Sequence, residues 1–574
     1  MATQEKMVNK ETVSEKFKKA LVKSKSRRVF LPKKHGMEAL ETKAKVRDTN
    51  LPTTIPPILD PNVEEVEVRP INEPYSYVRV TYNKESNEFN YEVIEPQLDD
   101  DEKQLLAHIK ETLRRTLEYK FETSTATEKE EYLRRSIDAL LISSGAKMSE
   151  LSKQRLLYYL VRDFIGYGKL DVMMSDPQIE DISLDGTRVP MYIFHRKHQS
   201  MRSNVMFETD EESDGYIIQT AQKCGKTISV ADPLLDATMP DGSRLQATLS
   251  REVTTRGSTF TIRRFRDNPF TPVDMLRFKT MSLDIVAYLW LAIEHGESMF
   301  VVGGTASGKT TTLNAILLFI PPQAKIVSIE DTREINIPHE NWIAGLTREG
   351  HGGTADIDMF SLLKASLRQR PQYMIIGEVR GVEAYNCFQA MATGKTVYST
   401  IHADSVRSMV HRLENAPINL PRLLLSNLNL VMLQAAVKVG KSMTRRIKAL
   451  VEIVGIEPET NELITNTVYT WNPAEDVFVY SGHSFLFEKI QSTKNLTSEQ
   501  MKEEFQRRIE ILKFMVKTNV DNHKEVARIV SGYYRTPEAI MHEVYMKLYG
   551  SPDGPKDAGK AGPDMAPDSV TPKQ

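Results

Sequence analysis

Eight consecutive residues, Gly303-Gly304-Thr305-Ala306-Ser307-Gly308-Lys309-Thr310, have the types and spacing of a phosphate-binding loop. Glycines let the backbone curl so that successive N–H groups face phosphate oxygens. A helix starting at the end of the loop then points its positive pole at the same charge. Lys309 is placed to reach β- and γ-phosphates, the Thr310 hydroxyl to ligate Mg²⁺, and Thr311 follows in the first helical turn. The flanks agree: Met299 to Val302 read as a short buried strand, and Thr311 to Ile320 as a helix stopped by Pro321-Pro322. A chance glycine-rich turn explains the loop but not both flanks, so the sequence implies a nucleotide site with ATP and Mg²⁺ as cofactors.

Three further strand ends supply polar groups. Tyr373 to Ile376 is a buried-strand pattern running into Gly377-Glu378-Val379-Arg380. An acid there either orients and deprotonates an attacking water or caps the helix that follows. Glu378 is the candidate catalytic acid, while Gly377 stands where a magnesium-binding aspartate is usual. Lys325 to Ile329 delivers Glu330, Asp331 and Glu334, acids able to hold Mg²⁺ and water from behind. Val397 to Ile401 ends in His402-Ala403-Asp404; a lone histidine is either structural or, at the carboxyl end of a strand in an open α/β pattern, part of the site.

The elements that must position these groups fall into several blocks. The 574 residues suggest three or four domains, and near balance of 75 Lys+Arg with 77 Asp+Glu argues against wholesale nucleic-acid binding. Two cysteines exclude a disulfide framework or a four-cysteine zinc module, no apolar run is long enough to span a bilayer, and the N-terminus lacks a secretory pattern; the chain reads as cytoplasmic. Residues 1–50 carry 14 Lys+Arg against 6 Asp+Glu, a basic tail that is either simply solvated or meets an anionic membrane surface or acidic partner. Residues 75–95 alternate as a hairpin, helices fit 99–117, 128–145 and 149–165, and residues 179–265 read as strands with turns. Near the C-terminus, Thr497 and Gln500 form a capping box before a helix with an apolar stripe of Met501, Phe505, Ile509, Leu512 and Val516, read as core.

In order along the chain, the phosphate loop, the acidic box Ile329 to Glu334, the Gly377-Glu378 pair and Thr400-Ile401-His402-Ala403 resemble the secretion-pilus ATPase superfamily over about residues 75–545. That group includes motors of type II and type IV secretion, type IV pili and the archaeal flagellum. Leu367-Arg368-Gln369-Arg370-Pro371 and Phe388 to Gly394 are similar to archaeal members, and Ser399-Thr400-Ile401-His402-Ala403-Asp404-Ser405 is similar to pilus or secretion assembly members more than to the flagellar motor. The resemblance implies an α/β fold: a RecA-like P-loop ATPase domain preceded by an α+β PAS-like domain and a helical N-terminal region. The implied blocks are a basic flexible tail (1–56), a hairpin and helical region (57–168), the PAS-like domain (169–265), a linker (266–281), the ATPase domain (282–480), a helical C-terminal region (481–550) and a disordered tail (551–574).

It also implies a homo-hexamer on the inner face of a membrane, working with a polytopic platform protein to assemble a pilus-like filament or drive secretion. Arg244 and Arg263 match arginines that, in the family, reach the phosphates from the N-terminal domain. Lys395 departs from the family, standing where a first histidine is usual; a lysine can donate a hydrogen bond or meet phosphate but cannot act as a neutral imidazole, and its role is left open. Rival readings are a flagellar or conjugation motor, a DNA translocase and a non-hydrolysing nucleotide-switch scaffold.

Overall fold

The computed structural model describes residues 52–116, 125–144, 148–266, 268–348, 356–440 and 442–552. The basic N-terminal tail up to residue 51, the C-terminal tail from 553 and Leu117 lie outside the described residues. The chain divides after Arg264 into two compact units.

Among the described residues the first unit holds nine strands: β1 (Val63–Asn72), β2 (Ser76–Asn83), β3 (Glu88–Ile94), β4 (Ile179–Leu184), β5 (Tyr192–His195), β6 (Gln199–Ser203), β7 (Leu234–Thr238), β8 (Arg244–Thr248) and β9 (Thr259–Arg263). Their order is β1-β2-β3-β6-β5-β4-β9-β8-β7. The β2–β3 hairpin turns at Asn87, whose φ of 57° suits an asparagine. The first three strands join the rest through a short parallel pairing, Asn90 with Arg202 and Tyr91 with Ser203. Asp176 reinforces that joint: it is fully buried, accepts both Arg69 Nη atoms at 3.0 Å and takes the Tyr91 hydroxyl at 2.9 Å. Helices Asp100–Thr116, Ala126–Ser144 and Glu150–Phe164 form a separate cluster around Leu106, Ile109, Leu133 and Leu156. A helix at Asp210–Lys223 interrupts the stretch that alternation alone reads as strands; Thr209 caps it by accepting from the Glu212 amide.

The second unit is built on a second nine-stranded sheet. Its strands are β10 (Met299–Val302), β11 (Ile326–Glu330), β12 (Trp342–Leu346), β13 (Tyr373–Ile376), β14 (Thr396–Ile401), β15 (Leu430–Val439), β16 (Ser442–Ile456), β17 (Leu463–Asn472) and β18 (Val477–Tyr480). The order is β12-β11-β13-β14-β10-β15-β16-β17-β18, parallel from β12 to β15 and antiparallel beyond. Successive residues of β10 serve opposite faces: Met299 and Val301 join one apolar cluster, Phe300 and Val302 the other. That is the pattern of a strand covered on both sides, as parallel α/β sheets require.

On one face the apolar helix Leu283–Glu294 is buried between the sheet and the C-terminal helices Phe485–Lys494, Ser498–Lys517, His523–Arg535 and Pro537–Tyr549. The capping box of Thr497 and Gln500 is present; Met501, Ile509 and Leu512 are buried, Phe505 half-buried, and Val516 lies at the rim. Trp290 stacks on Phe319 at 4.8 Å, and Tyr534 both accepts from Trp290 Nε1 (2.9 Å) and donates to the Phe319 carbonyl (2.6 Å). The C-terminal helices are thereby fastened to the segment that directly follows the loop helix. A second fastening is Glu452 on β16, buried and accepting from Tyr288, Ser484, Asn466 and the Phe485 and Leu486 amides. Among the described residues no helix is long and apolar enough to cross a membrane.

Candidate nucleotide-binding site

β10 is wholly buried and ends at Val302, where the chain leaves the sheet as the loop 303–308 and re-enters order as the helix Lys309–Ile316. Two glycines are required by geometry. Gly308 has φ 87°, in the left-handed region. A Cβ on Gly303 would stand 2.3 Å from the Gln434 carbonyl oxygen and 2.6 Å from Ser307 Oγ. Ala306 also adopts a positive φ, 57°, at the apex. Ser307 Oγ and Lys309 Nζ each donate to the Gly304 carbonyl at 2.9 Å, so the loop is closed on itself with the lysine folded along it. Gly304, Thr305 and Ala306 are exposed and Thr310 half-buried, leaving the outer face of the loop open to a ligand.

The neighbouring strand ends bring the acids and the histidine to the same edge. Thr400 Oγ1 donates to the Gly377 carbonyl (2.8 Å) and the Val379 amide to the Thr400 carbonyl (2.9 Å), fixing the chain on both sides of Glu378. Glu378 accepts from Arg380 Nη2 at 2.6 Å, and its other oxygen lies 3.5 Å from His402 Nε2. His402 Nε2 is in turn 3.4 Å from Lys309 Nζ. The amides of Arg380 and Gly381 donate to Glu383, so Glu383, not Glu378, serves the start of the helix Glu383–Ala392.

Charge and burial tune these groups. Burial pushes the Lys309 ammonium below the usual lysine range, against the pull of Glu378 and Glu334. Burial and then the Lys309 cation hold His402 below the usual imidazole range, with Glu378 pulling the other way. Asp331 is exposed, accepts from the Thr347 hydroxyl and lies 3.7 Å from Arg380 Nη1. Arg380 thus stands between Glu378 and Asp331.

Glu330 explains the missing aspartate. A Cβ on Gly377 would meet Glu330 Cγ at 3.3 Å, so the neighbouring strand crowds the position from which a residue-377 side chain would start. One Glu330 oxygen accepts the Glu334 and Ile335 amides, both at 2.9 Å, which shapes the acidic turn. The other is buried without a partner, the atom in the cluster most in need of a cation or water. Burial raises this carboxyl to about 7 despite the two amide bonds. Its folded value lies above the unfolded one, so folding favours the protonated form and loses that advantage as pH rises from about 4.5 to about 7. Glu330→Gln cannot ionise. In thermal unfolding without nucleotide, its midpoint relative to wild type should therefore climb between pH 5 and pH 8; a constant difference would refute the assignment.

Arg244 and Arg263 lie in the first unit as cross-strand neighbours on β8 and β9. With Asp181, Tyr192 and Phe194 they line an open cleft of about 410 Å³, and Arg244 pairs with Asp236. Lys395 lies at the opposite end of its strand from the loop. It precedes β14, whose far end Ile401 adjoins the loop, so six residues of strand, about 20 Å, separate it from the phosphate edge. Sequence reading missed Gln434 and Arg445. Gln434 is buried against Gly303 and Gly308, and Arg445 Nε donates to the Ala306 carbonyl at 3.4 Å. Both come from the β15–β16 hairpin, over a hundred residues from the loop, and no local pattern marks them.

A phosphate loop on a parallel sheet, with an acid and a histidine on the two adjoining strand ends, defines a RecA-like P-loop ATPase fold. The chain belongs to the type II/IV secretion system protein family, whose model matches residues 192–539; a PilB3-like N-terminal model matches residues 58–97. It is thus a member of the secretion and pilus ATPase superfamily. It is 38% identical over 392 residues to the uncharacterised protein MJ0900 of Methanocaldococcus jannaschii, covering 68% of this chain and 71% of that one. It is 33% identical over 220 residues to the type IV secretion system protein PtlH of Bordetella pertussis, covering 34% and 64%. Among solved structures it is similar to the Legionella pneumophila ATPase DotB at 14% identity and a TM-score of 0.37, covering 63% and 94%.

Proposed function

We propose that this protein is a hexameric ATPase that hydrolyses ATP to power assembly of a type IV pilus-like filament, or type II-like secretion, through a polytopic membrane platform protein. The observation that carries the hydrolytic part is the chain of contacts Lys309 to His402 to Glu378 at the open face of the loop. Loop amides and Lys309 hold the β- and γ-phosphates, and Glu378 orients and deprotonates the attacking water. His402 Nε2 faces both Lys309 and Glu378, and in the neutral ring this one nitrogen either accepts from the lysine or donates to the acid. Mg²⁺, when bound, neutralises charge on the phosphate oxygens. The hydroxyl of Thr310 fits as its ligand, with the unpartnered oxygen of Glu330 and the carboxyls of Asp331 and Glu334 behind it. Arg244 and Arg263 are proposed to neutralise phosphoryl charge from the first unit.

Family membership supports action at a membrane machine; the choice of pilus or secretion assembly over the flagellum rests on the archaeal wording of the motifs, with support from the PilB3-like match. The basic tail is proposed to touch anionic lipid. Steady-state turnover with Mg²⁺, measured against protein concentration beside sedimentation, tests the reading. Specific activity should rise as hexamers form. ATP binding without turnover at any concentration, with hexamers present, would favour a nucleotide-switch scaffold, in which Arg380 keeps Glu378 from water.

A further inference from the structure

The edge of the second sheet has two sides. β10 is flanked on one by β14 and β13, which carry His402 and Glu378 at their ends, and on the other by β15 and β16. A terminal phosphate that meets Glu378 therefore sends the nucleoside the other way, over β15 and β16. Arg445 stands there, its Cδ 3.5 Å from the position of a Cβ on Gly308 and its Nε on the Ala306 carbonyl. One residue on, Arg446 Nη1 donates to the Phe278 carbonyl at 3.0 Å, and the Ile447 amide donates to the Thr280 carbonyl at 3.0 Å. The segment 278–280 is thus stitched to β16 directly beside the residue that crosses the loop. The Thr312 hydroxyl, 3.7 Å from Met275 Sδ, sets the preceding helix Pro272–Arg277 along the loop helix itself.

Phe278 is 49% exposed, whereas Val273 and Met275 just before it are buried. A single exposed phenylalanine needs no explanation; this one is unusual in being rigidly presented. Its amide donates to the Asp274 carbonyl, closing the helix end. Arg446, which holds its carbonyl, is 4% exposed and bound at 2.7 and 2.9 Å by both oxygens of Asp476. Phe270 meets the ring edge-on at 5.3 Å. A fixed, half-bare aromatic face at the nucleoside side of a phosphate loop costs little entropy to stack upon.

We infer that Phe278 is the platform on which the purine base of the bound nucleotide stacks, an inference that rests on the nucleotide-site reading above. Every purine offers a π-face, so stacking separates nucleoside triphosphates from bare polyphosphate rather than ATP from GTP. Binding of ATP, GTP and inorganic tripolyphosphate by calorimetry, with Mg²⁺, tests this on wild type, Phe278→Ala and Phe278→Trp. Phe278→Ala should weaken ATP and GTP alike by about tenfold and leave tripolyphosphate unchanged, while Phe278→Trp keeps wild-type affinity. The unchanged tripolyphosphate affinity is also the check that the variant is folded around the loop. Undiminished ATP binding by Phe278→Ala, or an equal loss for tripolyphosphate, would overturn the platform. Wild type that binds neither ATP nor tripolyphosphate would instead overturn the phosphate site, and the platform with it.

Discussion

Glu378→Gln is expected to bind ATP as wild type does and to hydrolyse it roughly 10²- to 10⁴-fold more slowly, the range for loss of a positioned general base. The carboxylate is held on three sides: by Arg380 at 2.6 Å, by His402 at 3.5 Å, and by backbone pinned to Thr400 on either side. The amide in the variant keeps an oxygen for Arg380, so the shape of the site survives and only the ability to take a proton is lost. Nucleotide affinity, which depends on the loop and Lys309, should therefore change little, and the defect should fall on kcat. Single-turnover hydrolysis alongside equilibrium binding separates the two. If the variant turns over within threefold of wild type, the proton goes elsewhere. Glu334, whose charge is felt at Lys309, would be the next acid to replace.

What could be read from sequence follows how local each feature is. The loop 303–310 is contiguous, and its flanking strand and helix are short and strongly patterned, so every part of it was visible. The deeper reason for Gly377 was not, because the side chain that crowds it belongs to Glu330, a parallel neighbour aligned by the pairing of Ile329 with Ile376. The helix Asp210–Lys223 buries Ser213, Ile217, Thr220 and Ala221, a face half made of hydroxyls, so its periodicity is faint although Thr209 and three acids mark its start. β1 hides for another reason: it is an exposed edge strand whose apolar alternation at Val66 and Val68 is short, flanked by charges and runs into Pro70. Lys395 shows that residue type and place are separate questions, since a cation beside a catalytic motif in sequence can sit at the far end of its strand. Arg446 and Phe278 meet only through pairing between segments more than 160 residues apart.

Lys309→Ala should abolish measurable ATP binding at micromolar nucleotide and with it all turnover. Lys309 donates to the loop's own carbonyl at Gly304, and it is 8% exposed, so its charge acts on phosphate through little water. Losing a binding signal can also mean losing the fold, so the imidazole of His402 gives an independent reading. In wild type, burial and the Lys309 cation hold that ring below its usual range, whereas Glu378 draws it up. Removing the cation leaves burial, Arg412 and Arg380 still lowering the value and Glu378 raising it, so the sign of the change is fixed: the His402 pKa must rise in Lys309→Ala. A proton NMR titration of wild type and variant, without nucleotide, reports it directly. Lys309→Arg sharpens the comparison, because it restores the positive charge, and hence the low His402 value, yet places a planar fork where a slender ammonium fits, so ATP affinity should stay poor. If His402 titrates identically in all three proteins, the lysine and the histidine do not share the site in solution, and the contact chain from Lys309 to Glu378 cannot carry the reaction.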